Sequence, residues 1–487
     1  MSVDFTLLLP EFLVAGLAFL VLTVDFFLPP HRRNGVTASV TAVGMVGLAL
    51  FSALFLQGKS DSLYQGVFLV DSFSTFFKAF FLVLGAGVVL MSVEFVRKHL
   101  THPGEFYALI TLSVLAMMLM AAAGELLTAY ISLELLSFTL YVLVSFARED
   151  PRSNEAGTKY ILLGAFSSGL LLYGISLVYG SLGTTHYLDI ATRLFPSQMA
   201  PTTLAGLALI VAGLGFKMAA VPFHMWAPDI YEGAPTPVTA HLAVASKAAV
   251  FALVLRLFSQ AFIPALDQWQ IIVAILAAIT MTVGNLVAIT QHNIKRLLAY
   301  SSIAQVGYLL VGVAALSHAA SNAIILHLAG YAFSNLAAFM VVIVYFNLTG
   351  KEEIKEFAGL GQRHPFAAMV MAAALFSLAG LPFFAGFITK FYLFTAAAQA
   401  GLLWLAGLAI TNSLISLYYY LVVIRQMYIE KPEDAAPLRV PVLSMGVLAL
   451  LVAGVFFVGV YPRPLVDVIQ NASEVILPAV TALAAGR

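Results

Sequence analysis

The feature that most constrains this chain is the recurrence of apolar stretches, each about 20 residues long and so able to cross a bilayer as one helix. Read between polar punctuation, about fourteen such stretches run over 5–29, 36–57, 69–95, 105–123, 126–146, 158–181, 201–224, 237–262, 269–290, 297–317, 321–347, 365–395, 401–427 and 439–461. Of the 487 residues 61% are hydrophobic and 10% charged, with a mean hydropathy of +0.97. A water-soluble fold cannot hide that much apolar surface. A soluble enzyme, a nucleic-acid binder and a disordered scaffold are therefore excluded. Lys+Arg and Asp+Glu both number 24, which leaves no net field to draw polyanions. The absence of Cys excludes disulfide frameworks, thiolate-held iron–sulfur clusters and Cys nucleophiles. The expected fold is an all-α, multi-pass membrane protein in contact with lipid. Its first stretch carries Glu11 and Asp25 and runs on into further spans, so it reads as a retained helix.

Charge sets the orientation. With loops numbered in chain order, the odd ones hold fifteen Lys and Arg, among them Arg97, Lys159, Lys295 and Arg296. The even ones hold only Lys59, Arg193 and Arg256, and the tail adds Arg463 and Arg487. By the positive-inside rule the odd loops face the cytoplasm, and both termini are expected on the outer side.

Four basic residues remain inside the spans: Lys78, Lys217, Lys247 and Lys390. Lys78 sits near a span edge, where its stem can snorkel to water; true burial is the other reading. Glu134 is the acidic counterpart. A charge at a helix centre costs about 2.5–3.5 kcal/mol, so four such groups total roughly 10 kcal/mol. A structural ion pair explains one lysine, but Glu134 cannot neutralise three that are apart. Buried amines without a counter-ion can exchange protons wherever water reaches them. The pattern favours proton handling.

Two of these lysines lie beside helix breakers. Pro222 follows Lys217 by five residues, and Gly380, Pro382 and Gly386 precede Lys390. Three spans in residues 1–104 lead into two five-span units, 105–262 and 263–427, with a last span and short tail in 428–487. An odd number of spans per unit gives the two opposite topology, and the broken helix is the fourth in each. Inverted repeats with discontinuous helices are how many transporters build midplane sites. His224, seven residues beyond Lys217, would share its face on a continuous helix and extend a relay towards water. His327 lies in the eleventh span, where it could bridge Lys247 and Lys390. For each, a neutral hydrogen-bonded core histidine is the competing reading. Ser246, Tyr130, Ser137 and Asn335 either position water or satisfy helix–helix hydrogen bonds. No Gly-rich phosphate loop and no metal-ligand spacing is present, so no cofactor or metal is expected in this chain.

Three long motifs carry a resemblance. Lys217-Met-Ala-Ala-Val-Pro-Phe-His-Met-Trp-Ala-Pro-Asp-Ile-Tyr-Glu-Gly-Ala-Pro-Thr-Pro-Val-Thr-Ala, running on to Lys247, is similar to the signature of the antiporter-like subunits of respiratory complex I. So are Lys295-Arg-Leu-Leu-Ala-Tyr-Ser-Ser-Ile-Ala-Gln-Val-Gly-Tyr308 and Ser377-Leu-Ala-Gly-Leu-Pro-Phe-Phe-Ala-Gly-Phe-Ile-Thr-Lys390. The likeness covers about residues 5 to 461. It implies a proton-pumping membrane subunit of a bacterial NADH–quinone oxidoreductase in the cell membrane, related to Mrp-type Na⁺/H⁺ antiporters. It also implies that NAD, FMN, iron–sulfur clusters and quinone belong to the complex, and that the partners are its other membrane subunits, with no nucleic acid involved. By the same likeness, Glu134 pairs with Lys217, Lys247 is central and Lys390 faces the exit. The chain departs from the L- and M-type members in three ways. Only 26 residues follow position 461, position 390 is Lys rather than Glu, and Tyr331 and Asn335 align with their His…Lys pair. All three departures point to the third type of antiporter-like subunit. A relay through lysine at 335 does not carry over, and His327 is the substitute.

Overall fold

The computed structural model describes residues 4–195, 199–432 and 436–476; Arg487, counted among the tail charges, lies outside them. The N-terminal segment holds α1 (Leu9–Phe27), α2 (Pro30–Phe55) and α3 (Ser72–His99), with a short antiparallel hairpin, β1 (Asp61–Leu63) and β2 (Phe68–Val70), between the last two. Next come α4 (Pro103–Ala122), α5 (Leu126–Val144), α6 (Pro151–Leu182), α7 (Tyr187–Arg193), α8 (Pro201–Met218), α9 (Trp226–Gly233), α10 (Thr236–His241) and α11 (Lys247–Gln260). A π-helical turn, Leu242–Ser246, joins α10 to α11. The second half holds α12 (Leu266–Ala288), α13 (Ile294–Ala314), α14 (His318–Thr349), α15 (Leu360–Arg363), α16 (Pro365–Ala379), α17 (Ala385–Gln399) and α18 (Leu403–Tyr428). Last are α19 (Val442–Val460) and α20 (Arg463–Ser473).

Thirteen helices among the described residues are long and apolar enough to cross a membrane. The broken pair α16–α17 supplies one more crossing, which accounts for the fourteen stretches. The hairpin was not foreseen, because its three-residue strands are too short to show alternation. Helix starts follow local chemistry. Asp71 accepts the Ser74 backbone N–H at 2.7 Å, and the Ser74 hydroxyl accepts that of Asp71, a reciprocal capping box at the start of α3. Glu125 caps α5 and Asn293 caps α13 in the same sense.

The same neighbour order recurs in both halves. In α4–α5–α6–α8–α11 and again in α12–α13–α14–(α16/α17)–α18, each helix packs on the next and the fifth returns to the first. Three spans, α10–α11, α13 and α14, are wrapped by protein on all sides, whereas α1, α2 and α18 show much of their surface to lipid. Phe19, Val43 and Leu414 are exposed there, as bilayer-facing residues should be. Polar groups on the wrapped spans are therefore shielded from lipid and face one another.

Two readings of charge need correction. Arg256 is no loop cation: it is fully buried in α11, its guanidinium bonded to both Asp71 carboxylate oxygens at 2.7 and 2.8 Å and to the Ala121 carbonyl at 2.9 Å. It ties the start of α3 to the end of α4. Lys78 does not snorkel either. It is fully buried and lies 2.8 Å from the buried Glu11, an acid that the sequence assigned no partner.

Candidate functional site

Lys217 lies in the last turn of α8. The helix stops at Met218, where Ala219 adopts positive φ (62°), and Pro222 sits in the turn that follows. The freed Phe216 carbonyl accepts the Trp226 indole N–H at 2.8 Å, so the break is capped by the next helix, α9. Lys217 Nζ donates to Ser137 Oγ at 2.6 Å and lies 3.5 Å from Glu134 Oε1, which accepts from Ser168 at 2.5 Å. His224 belongs to the turn and not to a helix continuing from Lys217. The same-face reading of these two residues therefore fails, since it assumed an unbroken span across 201–224.

Lys247 follows the π turn at the centre of the molecule, 2% exposed. A π turn in an otherwise α-helical span re-aims side chains and is common at functional sites. Lys247 Nζ donates to Ser302 Oγ on α13, and the Tyr231 ring lies 5.7 Å away. Tyr331 on α14 donates to the same Ser302 at 2.8 Å and contacts the Ala243 carbonyl at 3.1 Å, while Asn335 donates to Tyr331. No carboxylate lies within ion-pair distance of Lys247 among the described residues.

One turn before Tyr331, His327 stacks nearly parallel to its ring with centroids 6.4 Å apart. Its Nδ1 shares a 2.9 Å hydrogen bond with Thr389, while its buried Nε2 has no partner among the described residues. Lys390, 3% exposed, reaches back across the break in the second half. It donates to the Leu378 carbonyl at 2.7 Å and to Ser413 at 2.9 Å, over the Tyr308 ring at 4.5 Å. Gly380 holds positive φ (87°) at this break. Gly386 is required for a different reason: a Cβ there would lie 1.7 Å from the Ser377 carbonyl oxygen. Pro382 lies in the turn between α16 and α17.

The structure thus places three polar groupings near one another, Lys247 with Ser302 and Tyr331, His327 with Thr389, and Lys390 with Ser413, with no hydrogen bond joining one grouping to the next among the described residues. Glu134 and Lys217 form a separate pair. Ser302 stood in the second motif, but a hydroxyl in an apolar helix gives no sign of whether it serves a backbone carbonyl or an amine. Ser246 shows the other outcome, since it bonds only to the Leu242 carbonyl at 2.8 Å. Tyr130 is half-buried on α5, close enough to Glu134 to feel its charge.

On the odd-loop face a cleft of 580 Å³ lies above Thr236, the start of the span leading to Lys247, with His99, Arg152, Lys295 and Glu352 in its walls. Beside it α9 is held by ion pairs. Arg296 bonds to Asp229 and Glu232 at 2.8 Å each, and Lys159 bonds to Asp229 at 3.1 Å. Burial pushes the Asp229 carboxyl up, but the hydrogen bonds from Arg296 and Lys159 outweigh it and hold the group below its usual range.

Buried amines among hydroxyls on lipid-shielded spans, together with a break in each five-helix unit, are the features of an antiporter-like membrane subunit. A family model described as "NADH:quinone oxidoreductase/Mrp antiporter, TM" matches residues 123–416. NADH-quinone oxidoreductase subunit N of Moorella thermoacetica is 44% identical over 96% of this chain and 98% of its own length. A chain of respiratory complex I from Thermus thermophilus superposes with a TM-score of 0.79 at 30% identity, covering 95% of this chain and 99% of that one. A chain of the archaeal membrane-bound sulfane sulfur reductase does so with 0.86 at 26% identity, covering 98% and 99%. This chain belongs to the NADH:quinone oxidoreductase/Mrp antiporter family, among relatives named subunit N.

Proposed function

We propose that this chain is the N-type membrane subunit of a bacterial NADH–quinone oxidoreductase and carries protons through Glu134, Lys217, Lys247, His327 and Lys390. NAD, FMN, iron–sulfur clusters and quinone belong to its partner subunits, and both its termini face the outer side of the cell membrane. The observation that carries the reading is that Lys247 and Lys390 are buried with no carboxylate in ion-pair distance among the described residues, while Ser302, Tyr331, His327 and Thr389 lie between them with gaps that water must fill.

The residues supply the following steps. Glu134, with Ser168 and Ser137 around it, stabilises Lys217 as an ammonium. A shift in their pairing, driven from the redox side, releases or rebinds that proton. No hydrogen bond links Lys217 to Lys247 among the described residues, so water must complete this step. From Lys247 the proton passes by Ser302 and Tyr331 towards His327 and Thr389, then to Lys390 and out. His224, in the turn after the first break, is a gate to water rather than a link in the track. Moving one charge against 100 mV costs about 2.3 kcal/mol, within reach of a pKa change of one to two units at about 1.36 kcal/mol each.

The two five-helix units, 105–262 and 263–427, act in this reading as inverted copies, which the recurring neighbour order supports. Neutralising Glu134 and Lys217 together in the intact complex lowers the protons moved per electron. Unchanged stoichiometry would leave them as a bridge that only fixes helix packing. A subunit of an Mrp-type Na⁺/H⁺ antiporter is the second reading, since the family model spans both. Lysine rather than an acid at 390 counts against it, and co-purification with redox subunits decides between the two.

A further inference from the structure

A cleft of 840 Å³ lies apart from Lys217, Lys247 and Lys390, between α2 and α3 on one side and α14, α19 and α20 on the other. Its walls are apolar through Phe76, Phe80, Val83, Leu336 and Leu451, and its polar residues gather at the even-loop end. Lys59 stands at that end with Gln57 and Ser60. Arg256, buried in α11, is consumed by Asp71, and of the two even-loop cations Arg193 bonds to the Leu182 carbonyl at 2.8 Å. Lys59 rests over the Phe55 ring at 3.6 Å; Asp4 feels its charge but makes no ion pair with it. Two more groups at this end lack partners. The Ser72 and Thr75 hydroxyls, in the first turns of α3, are buried in the cleft wall without a hydrogen bond among the described residues. Buried hydroxyls left so are costly unless a ligand satisfies them. The adjoining wall is α20, which places Leu465, Val468 and Ala472 towards the cleft and carries Asp467 and Gln470 along the same short helix.

We propose that this cleft binds one anionic phospholipid of the outer leaflet. Its phosphate sits by Lys59 and accepts from Ser72 and Thr75, and an acyl chain runs inward along Phe76, Phe80 and Val83. The neighbouring Asp71 does not repel it, because Arg256 already neutralises that carboxylate. Neither this site nor its ligand depends on proton transfer.

The test uses the intact complex, stripped with mild detergent and offered phosphatidylglycerol or phosphatidylcholine, with bound lipid counted by native mass spectrometry. Wild type retains one phosphatidylglycerol per copy of this chain in preference to phosphatidylcholine. Lys59→Glu lowers that retention by about fivefold or more, the worth of one lysine at a membrane surface. Gly87→Phe abolishes it by filling the cleft, since a Cβ at Gly87 meets no atom within 4 Å and the backbone need not move. Equal retention of the two lipids by wild type overturns the headgroup assignment. Unchanged phosphatidylglycerol in both variants overturns the site. Phosphatidylglycerol retained by a variant lacking residues 477–487 but not by wild type makes the chain's own end the natural occupant and overturns it as well.

Discussion

The two broken helices hold a buried amine in different ways. In the first half Lys217 precedes the break and shares its charge with Glu134, whose side chain keeps 16% of its surface exposed. In the second half Lys390 follows the break and reaches back to the Leu378 carbonyl at the end of α16. A helix C-terminus carries roughly half a negative charge. One amine therefore faces a full countercharge that can move, the other a fixed half charge that cannot. In the relay proposed above, the first arrangement is the switch and the second the transfer point.

Disrupting the break that holds the fixed partner gives the largest expected effect. Gly386→Ala drives a methyl into the Ser377 carbonyl and prevents α17 from packing at the break. A loss of about 4 kcal/mol or more is expected, seen as little assembled complex in membranes. Removing the mobile partner is less severe. Glu134→Gln removes the countercharge of Lys217 while leaving an amide oxygen that can accept from it, a cost of about 1–3 kcal/mol once the partial exposure is discounted. Adding Lys217→Met recovers most of that loss in thermal unfolding without restoring pumping. Lys390→Gln separates charge from packing, because an amide can still donate to Leu378 and Ser413. The complex assembles within about 1 kcal/mol of wild type but moves fewer protons per electron, read with a pH-sensitive dye in proteoliposomes.

The smallest effect lies outside the membrane, where α9 follows the first break and has no ion-paired equivalent at the second. Arg296→Gln removes two half-exposed ion pairs and costs about 1 kcal/mol or less. Because the Asp229 carboxyl is held below its usual range, its stabilisation is present above the ordinary carboxylate pKa and is lost as pH falls through its lowered one. Acidification of wild type should therefore lower thermal stability in the same direction as the mutation, and the mutant should respond less.

Much of this contrast was legible in the chain. Span count, both breaks and the four intramembrane amines follow from hydropathy and from Pro and Gly positions, because lipid leaves a helix few alternatives. The partners were harder to read. Nothing near Glu11 or Asp71 in the sequence marks a partner, yet each neutralises a buried cation from another helix. Such pairs depend on which helices touch, and periodicity does not encode that. His224 was misplaced because heptad spacing assumes an unbroken helix, and Pro222 had already ended it. The π turn before Lys247 left no mark in a sequence of small apolar residues.

The most direct test is the number of protons moved per electron by the intact complex in sealed vesicles, compared between wild type and Lys247→Met. Lys247 is the amine between the two halves and has no carboxylate to replace it. A clear drop in the ratio, with the complex fully assembled, is the predicted result. An unchanged ratio would mean that no proton crosses this chain by way of its centre.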